Sequence, residues 1–148
     1  IALGFHLSPV RQILEENSKT HFNLALEEGY QQLKPERYSF LNKALEKWHA
    51  EKGFKDPDLN AATMAESLGV DKKELSQYIY EKYGHTFRIW LSNIRIEEVK
   101  KLLLSREDYS NETIAYECGF SSRTWLQQKF KASTGMTPNE WKNIQKQM

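Results

Sequence analysis

Apolar residues recur three and four positions apart along most of this chain, the spacing of a single helical face. Behind Pro35 and Glu36, the series Tyr38, Leu41, Leu45 and Trp48 predicts a helix closed by Gly53, with Lys55-Asp56-Pro57-Asp58 as the turn after it. Upstream the pattern is weaker. Ser8-Pro9 supplies an N-cap and a first-turn proline for a helix toward Glu16, and a second helix is expected from Phe22 to Leu33. Thr86 to Ser105 reads as one long helix with Ile89, Ile96, Val99, Leu102 and Leu103 on its apolar stripe and Trp90 beside them. Thr137-Pro138-Asn139-Glu140 combines an N-cap, an N1 proline and a capping-box glutamate, and so opens a last helix containing Trp141 and Ile144.

The segments on either side of the long helix repeat each other. At an offset of fifty, Asn60 meets Ser110, Thr63 meets Thr113, Met64 meets Ile114, Ala65 meets Ala115, Leu68 meets Cys118, Gly69 meets Gly119 and Val70 meets Phe120. Past the glycine the offset becomes fifty-one: Leu75 and Leu126, Ile79 and Phe130, Gly84 and Gly135, Thr86 and Thr137, Trp90 and Trp141. One residue is therefore inserted in the second turn. Each copy reads as a short helix, a glycine turn and a longer helix. The alanine lets two helices cross closely, the glycine four residues later permits a left-handed backbone, and the next apolar residue plugs the corner. Asp71 and Glu74 have capping-box spacing for the first long helix, and Ser121 or Ser122 caps the second.

Composition suits a folded helical chain: 148 residues, 12% aromatic, with only seven Gly and four Pro. Charge is close to balanced, 21 basic residues against 20 acidic, and from Asp56 onward 13 against 13. A DNA partner then requires local sorting of charge and use of helix N-termini, since net charge supplies no attraction. The single cysteine, Cys118, excludes a disulfide within the chain and a cysteine-based zinc site, and suits a reducing cytoplasm. His6, His21, His49 and His85 are scattered without metal-ligand spacing, so no metal or other cofactor is expected. No apolar run approaches the ~20 residues of a membrane span. The chain opens on Ile1 rather than Met, as a fragment of a longer protein would.

The segment Ile114-Ala115-Tyr116-Glu117-Cys118-Gly119-Phe120-Ser121-Ser122, followed by Phe130-Lys131, Gly135 and Thr137-Pro138-Asn139-Glu140-Trp141, resembles the second unit of the AraC/XylS family of bacterial transcription regulators. Met64-Ala65, Leu68-Gly69-Val70 and Leu75-Ser76 resemble its first unit, and Arg95-Ile96 its linker helix. The resemblance covers roughly residues 59–142. Departures are Gln77 and Ile79 in the first long helix, and Leu126-Gln127-Gln128 where Phe-Ser-Arg is common. Lys52-Gly53-Phe54 through Leu59 resembles the lead-in of a subgroup whose module follows a sensor or membrane spans.

The resemblance implies an all-α fold: two helix-turn-helix units joined by a long linker helix, with a helical N-terminal extension. Residues 1–56 would be that extension and 57–148 the DNA-binding domain, with units at about 60–84 and 110–135 and the linker at about 86–105. It implies no enzyme activity but a sequence-specific regulator that inserts two recognition helices into adjacent major-groove segments of double-stranded DNA. RNA polymerase and an upstream sensor or membrane domain would be its protein partners, with no small-molecule site in this fragment. The location would be cytoplasmic, or the cytoplasmic part of a membrane-tethered regulator. Base contacts are expected from Lys72, Lys73, Ser76 and Gln77, with Tyr80 further along, and from Arg123, Thr124, Gln127 and Gln128. Backbone contacts are expected from Arg88, Lys129, Lys131 and the helix start at Thr137.

Two other function classes compete. Some DNA-repair alkyltransferases carry such a module, but they need a reactive cysteine in a separate catalytic domain, and Cys118 lies inside the repeat. A protein-binding helical adaptor suits the balanced charge. Taken singly, each candidate contact residue is equally consistent with ordinary solvated surface; the repeat and the resemblance favour the set. Cys118, Trp48, Trp90 and Trp141 are expected in the core. Trp125 stands next to Leu126, which already fills a core position, so it is either packed or exposed.

Overall fold

A computed structural model describes residues 32–148. The helices expected from Ser8-Pro9 and from Phe22 lie outside the described residues. Those residues form seven α-helices and one 3-10 turn, with no strands among them. The helices are α1 (Pro35–Ala50), α2 (Ala61–Leu68), α3 (Lys72–Tyr83), α4 (Phe87–Ser105), α5 (Asn111–Glu117), α6 (Arg123–Thr134) and α7 (Pro138–Lys146); the 3-10 turn is Gly53–Lys55. They fall into two compact units. One holds the described residues up to Glu46 together with Asn60–Trp90, the other Lys47–Leu59 together with Leu91–Met148.

The expected repeat sets the local structure of both units. Asn60 caps α2 in a reciprocal box with Thr63, and the Ser110 side chain accepts from the Thr113 N–H to cap α5. Each short helix ends on a left-handed glycine, Gly69 at φ 72° and Gly119 at φ 88°. The chain then closes a Schellman-type turn: Val70 N–H donates to Ala65 O at 3.0 Å, and Phe120 N–H to Ala115 O at 2.9 Å. The inserted residue lies where the offset change places it. Val70 and Asp71 separate Gly69 from α3, whereas Phe120, Ser121 and Ser122 separate Gly119 from α6. Ser122, not Ser121, is the cap, accepting from Trp125 N–H. Thr137 and Glu140 form the expected capping box on α7.

In the first unit Leu41, Met64, Leu75, Tyr78 and Ile79 are almost completely buried. The second is centred on Ile96, Val99, Leu103, Ile114, Cys118, Leu126 and Phe130, with Trp141 set edge-on to Phe130. Helix α4 serves both cores: Phe87 and Trp90 are buried in the first unit, Ile96, Val99 and Leu103 in the second. That division corrects one expectation. Ile89 continues the stripe of Ile96 into the turn that belongs to the first unit, and it is 50% exposed.

Two caps differ from expectation. Gly53 does not close α1. Lys52 takes the left-handed conformation instead, at φ 58°. Gly53 is required because a Cβ there would lie 2.1 Å from Trp48 Nε1. Asp71 and Glu74 do not form a capping box, and Asp71 caps α3 without a side-chain bond. The Glu74 carboxylate is taken by Arg37 of α1, whose Nε and Nη2 approach its two oxygens at 2.5 and 2.8 Å. A bidentate guanidinium pair of this kind outcompetes one neutral backbone donor.

Arg95, only 9% exposed, ties α4 to the segment before α2. Its Nε donates to Phe54 O at 3.0 Å and its Nη2 to Asp56 O at 2.7 Å. Gly119 lies against the same carbonyl: a Cβ there would be 2.1 Å from Phe54 O, whereas one on Gly69 would meet nothing within 4 Å.

Cys118 is fully buried, and burial, with Glu98 and Glu117 nearby, pushes its thiol up to about 12. It is therefore a thiol, not a reactive thiolate, at neutral pH. Cys118→Ser is expected to lower stability by about 1–3 kcal/mol, the cost of an unpaired hydroxyl in an apolar site, as read by chemical denaturation. The native protein should react with thiol reagents only at the rate at which it unfolds. Rapid labelling of folded protein would contradict the burial.

Arg37 holds the Glu74 carboxyl below its ordinary value, chiefly through their hydrogen bonds. A depressed carboxyl stabilises the fold above the ordinary carboxylate range and loses that contribution as pH falls through the depressed value. Melting temperature in acid should therefore fall less steeply for Glu74→Gln than for the parent chain. Parallel curves would show that the pair contributes nothing to stability.

Candidate nucleic-acid interface

In each unit the longer helix buries one face and leaves a polar one. On α6, Leu126 and Phe130 are fully buried. Arg123, Thr124, Gln128 and Lys131 are exposed, and Gln127 is half-buried. At about 3.6 residues per turn, Thr124, Gln128 and Lys131 lie within ~60° of one another, directly away from the core. Arg123 and Gln127 border this strip on one side, Trp125 and Lys129 on the other. Lys73, Gln77 and Tyr80 occupy the corresponding strip on α3. Lys72 and Lys73 are exposed, whereas Ser76, Gln77 and Tyr80 are half-buried. Each unit thus brings its four expected base-contacting residues together on the first two turns of one helix.

The two faces differ in charge. Helix α3 carries Lys72, Lys73 and Lys82 against Glu74 and Glu81. Helix α6 carries Arg123, Lys129 and Lys131 and no acid. Both α3 acids have partners: Glu74 is paired with Arg37, and Glu81 Oε2 accepts from Gln77 Nε2 at 2.8 Å. A chain of nearly balanced charge therefore presents one recognition helix with only cations and another whose acids are engaged.

The expected backbone contacts are more dispersed. Arg88 is exposed in the first turn of α4. Lys129 is half-buried, its ammonium 4.8 Å from the centroid of the Trp125 ring. Lys131 is exposed, and its charge helps hold the Glu140 carboxyl below the ordinary range, after the larger effect of the Thr137 hydrogen bonds. Thr137 Oγ1 accepts from Glu140 N–H at 3.2 Å.

Sequence reasoning did not find Arg37 or the part played by Arg95. Nothing in the spacing of Arg37 signals a partner 37 positions away. Trp125 proves exposed, at 41%. The available signal was periodicity, since Trp125 is turned about 100° from Leu126 around the helix. Among the described residues no group of His, Cys, Asp and Glu could hold a metal ion, and no helix is long and apolar enough to cross a membrane.

Residues 64–144 match the model of a helix-turn-helix domain family. A curated relative, an HTH-type transcriptional regulator of Pseudoalteromonas carrageenovora, is 33% identical over 85 residues, which are 57% of this chain and 49% of the relative. The chain thus spans about half of that relative's length. Among solved structures, the C-terminal domain of AraT, a response regulator of Geobacillus stearothermophilus, superimposes with a TM-score of 0.63 at 29% identity, covering 77% of this chain and 88% of that one. The DNA-binding domain of the global transcriptional factor AdpA, solved with a target DNA, shares the fold with a TM-score of 0.61 at 20% identity, covering 70% of this chain and 90% of that one. The family match extends over more than half of the sequence and takes in both glycine turns and both long helices, and this chain belongs to the AraC-type helix-turn-helix family.

Proposed function

We propose that this chain is the DNA-binding part of a sequence-specific transcription regulator, and that α3 and α6 enter two neighbouring major-groove segments. The observation that carries this reading is the duplicated turn, which in each unit fixes a long helix with a polar face turned from the core. Arg and Lys suit guanine O6/N7, Gln suits adenine N6/N7, and Ser and Thr take several partners. Lys72, Lys73, Ser76 and Gln77 serve the first segment, and Arg123, Thr124, Gln127 and Gln128 the second. Arg88, Lys129, Lys131 and Thr137 hold phosphates. The family and fold point to a DNA-binding regulator and away from an enzyme.

The C-terminal place of the AraT domain in a response regulator supports an upstream signal-receiving region, whether soluble or membrane-tethered, joined through the extension before residue 57. RNA polymerase is the partner through which a bound regulator would act, and the cytoplasm is the place where it would do so.

One chain should protect two neighbouring groove segments, about one helical turn apart, in a footprint on a selected duplex. The motive for this reading is the repeat, which gives one chain two long helices of the same kind. Protection of a single segment by a folded monomer would contradict the two-helix reading. Failure to bind random duplex at low salt would favour a protein-binding adaptor.

Specificity and affinity should separate by residue. Arg123→Ala or Gln127→Ala is expected to cost about 1–3 kcal/mol on the preferred site and to relax choice at one base pair. Lys131, some two turns further along α6, should act on phosphates. Lys131→Ala should weaken all duplexes alike and flatten the salt dependence by about one unit. Binding-site selection paired with a salt titration reads both effects, and a motif shift from Lys131→Ala would reverse the orientation of α6 in the groove.

A further inference from the structure

The indole of Trp125 lies outside the buried core of the second unit. Leu126 and Phe130 fill the core of the second unit from the same helix and are fully buried, while Trp125 is 41% exposed. A single exposed apolar ring is ordinary on a protein surface; what distinguishes this one is the cation held against it. The ammonium of Lys129, one turn on, lies 4.8 Å from the ring centroid, within the ~6 Å reach of a cation–π contact. The position is not treated this way in the first unit. There the repeat places Glu74, neutralised by Arg37.

The pair also has a defined place around the helix. The strip of Thr124, Gln128 and Lys131 faces outward, and Trp125 and Lys129 lie roughly 90–130° to one side of it. A helix with its side chains is ~10–12 Å across and nearly fills a major groove ~12 Å wide. With the Arg123–Gln127 side turned to the bases, the opposite flank faces a groove wall, where the phosphates are. We propose that Trp125 and Lys129 form a preorganised phosphate clamp on one groove wall: Lys129 makes the contact, and Trp125 is the positioning residue that holds its ammonium in place. This rests on the DNA-binding reading above. A free lysine side chain samples many rotamers and loses them on binding, whereas one already stacked on an indole loses fewer. The absence of any acid on α6 leaves that ammonium without a competing carboxylate on its own helix.

The test uses the whole 148-residue chain and fluorescence anisotropy on a random-sequence duplex over a range of salt. Lys129→Ala should weaken binding and reduce the salt slope by about one unit. Trp125→Ala should weaken binding about two- to fivefold with the slope unchanged, because the charge remains and only its placement is lost. Trp125→Phe should recover most of that loss. The double variant Trp125→Ala/Lys129→Ala should bind as Lys129→Ala does, since the indole then has no ammonium to position. Trp125→Ala should melt with the parent. In the free protein, the Lys129 side-chain methylene protons should be shifted upfield by the ring and should return to ordinary values in Trp125→Ala.

Additive losses in the double variant would overturn the proposal, as would unchanged affinity in Trp125→Ala. A Trp125→Ala variant that shifts the selected motif would place the indole on a base and overturn it as well. If the parent chain binds no duplex, the DNA-binding reading itself fails, a result distinguishable from all of these.

Discussion

Both units depend on a backbone hydrogen bond that a left-handed glycine makes possible. Val70 N–H reaches Ala65 O, and Phe120 N–H reaches Ala115 O, only because the residue between turns the chain through positive φ. The bond satisfies a carbonyl at the end of the short helix and aims the following segment across it. The alanine at the acceptor position lets the helices approach, and the apolar residue at the donor position closes the corner. The direction of α3 and α6, and hence the location of every candidate base-contact residue, follows from this turn.

The turn was legible because its requirements are local. A small residue, a glycine four positions on and an apolar residue after it are visible in one sequence, and a second copy fifty positions away removes most of the ambiguity. The caps at Asn60, Ser110 and Thr137 were legible for the same reason. What failed depended on distant partners. Asp71-Glu74 has the spacing of a capping box, but Arg37 claims the glutamate. Gly53 resembles a helix stop, but its missing Cβ makes room for Trp48. Ile89 has the right period, but α4 passes from one core to another between Trp90 and Ile96. In the candidate interface, the polar strips could be read from periodicity. The state of each side chain on them, such as Gln77 bonded to Glu81, depends on the folded neighbourhood.

Balanced net charge looked unfavourable for a nucleic-acid partner, and the structure shows why that measure misleads. Screening confines electrostatic attraction to about 10 Å at ordinary salt, so the sign of the surface facing the ligand matters more than the sum over the chain. Several acids have cationic partners of their own: Glu107 sits among Lys142 and Lys146, Asp108 with Arg106, Glu117 with Lys55. These pairs cancel on paper, and α6 itself contributes only the cations Arg123, Lys129 and Lys131, the last of them acting on Glu140.

The anchoring of Arg95 bears on how such a module is inherited. The family pattern begins at residue 64, yet the guanidinium buried on α4 depends on carbonyls at Phe54 and Asp56, and Gly119 is shaped to the first of them. A piece cut at the start of the first glycine turn and fused to a new sensor would keep every candidate contact residue while stranding a charge in its interior. The unit that evolution or an engineer can move intact is therefore longer than the unit that reads DNA, and its leading edge lies in the connector upstream of α2.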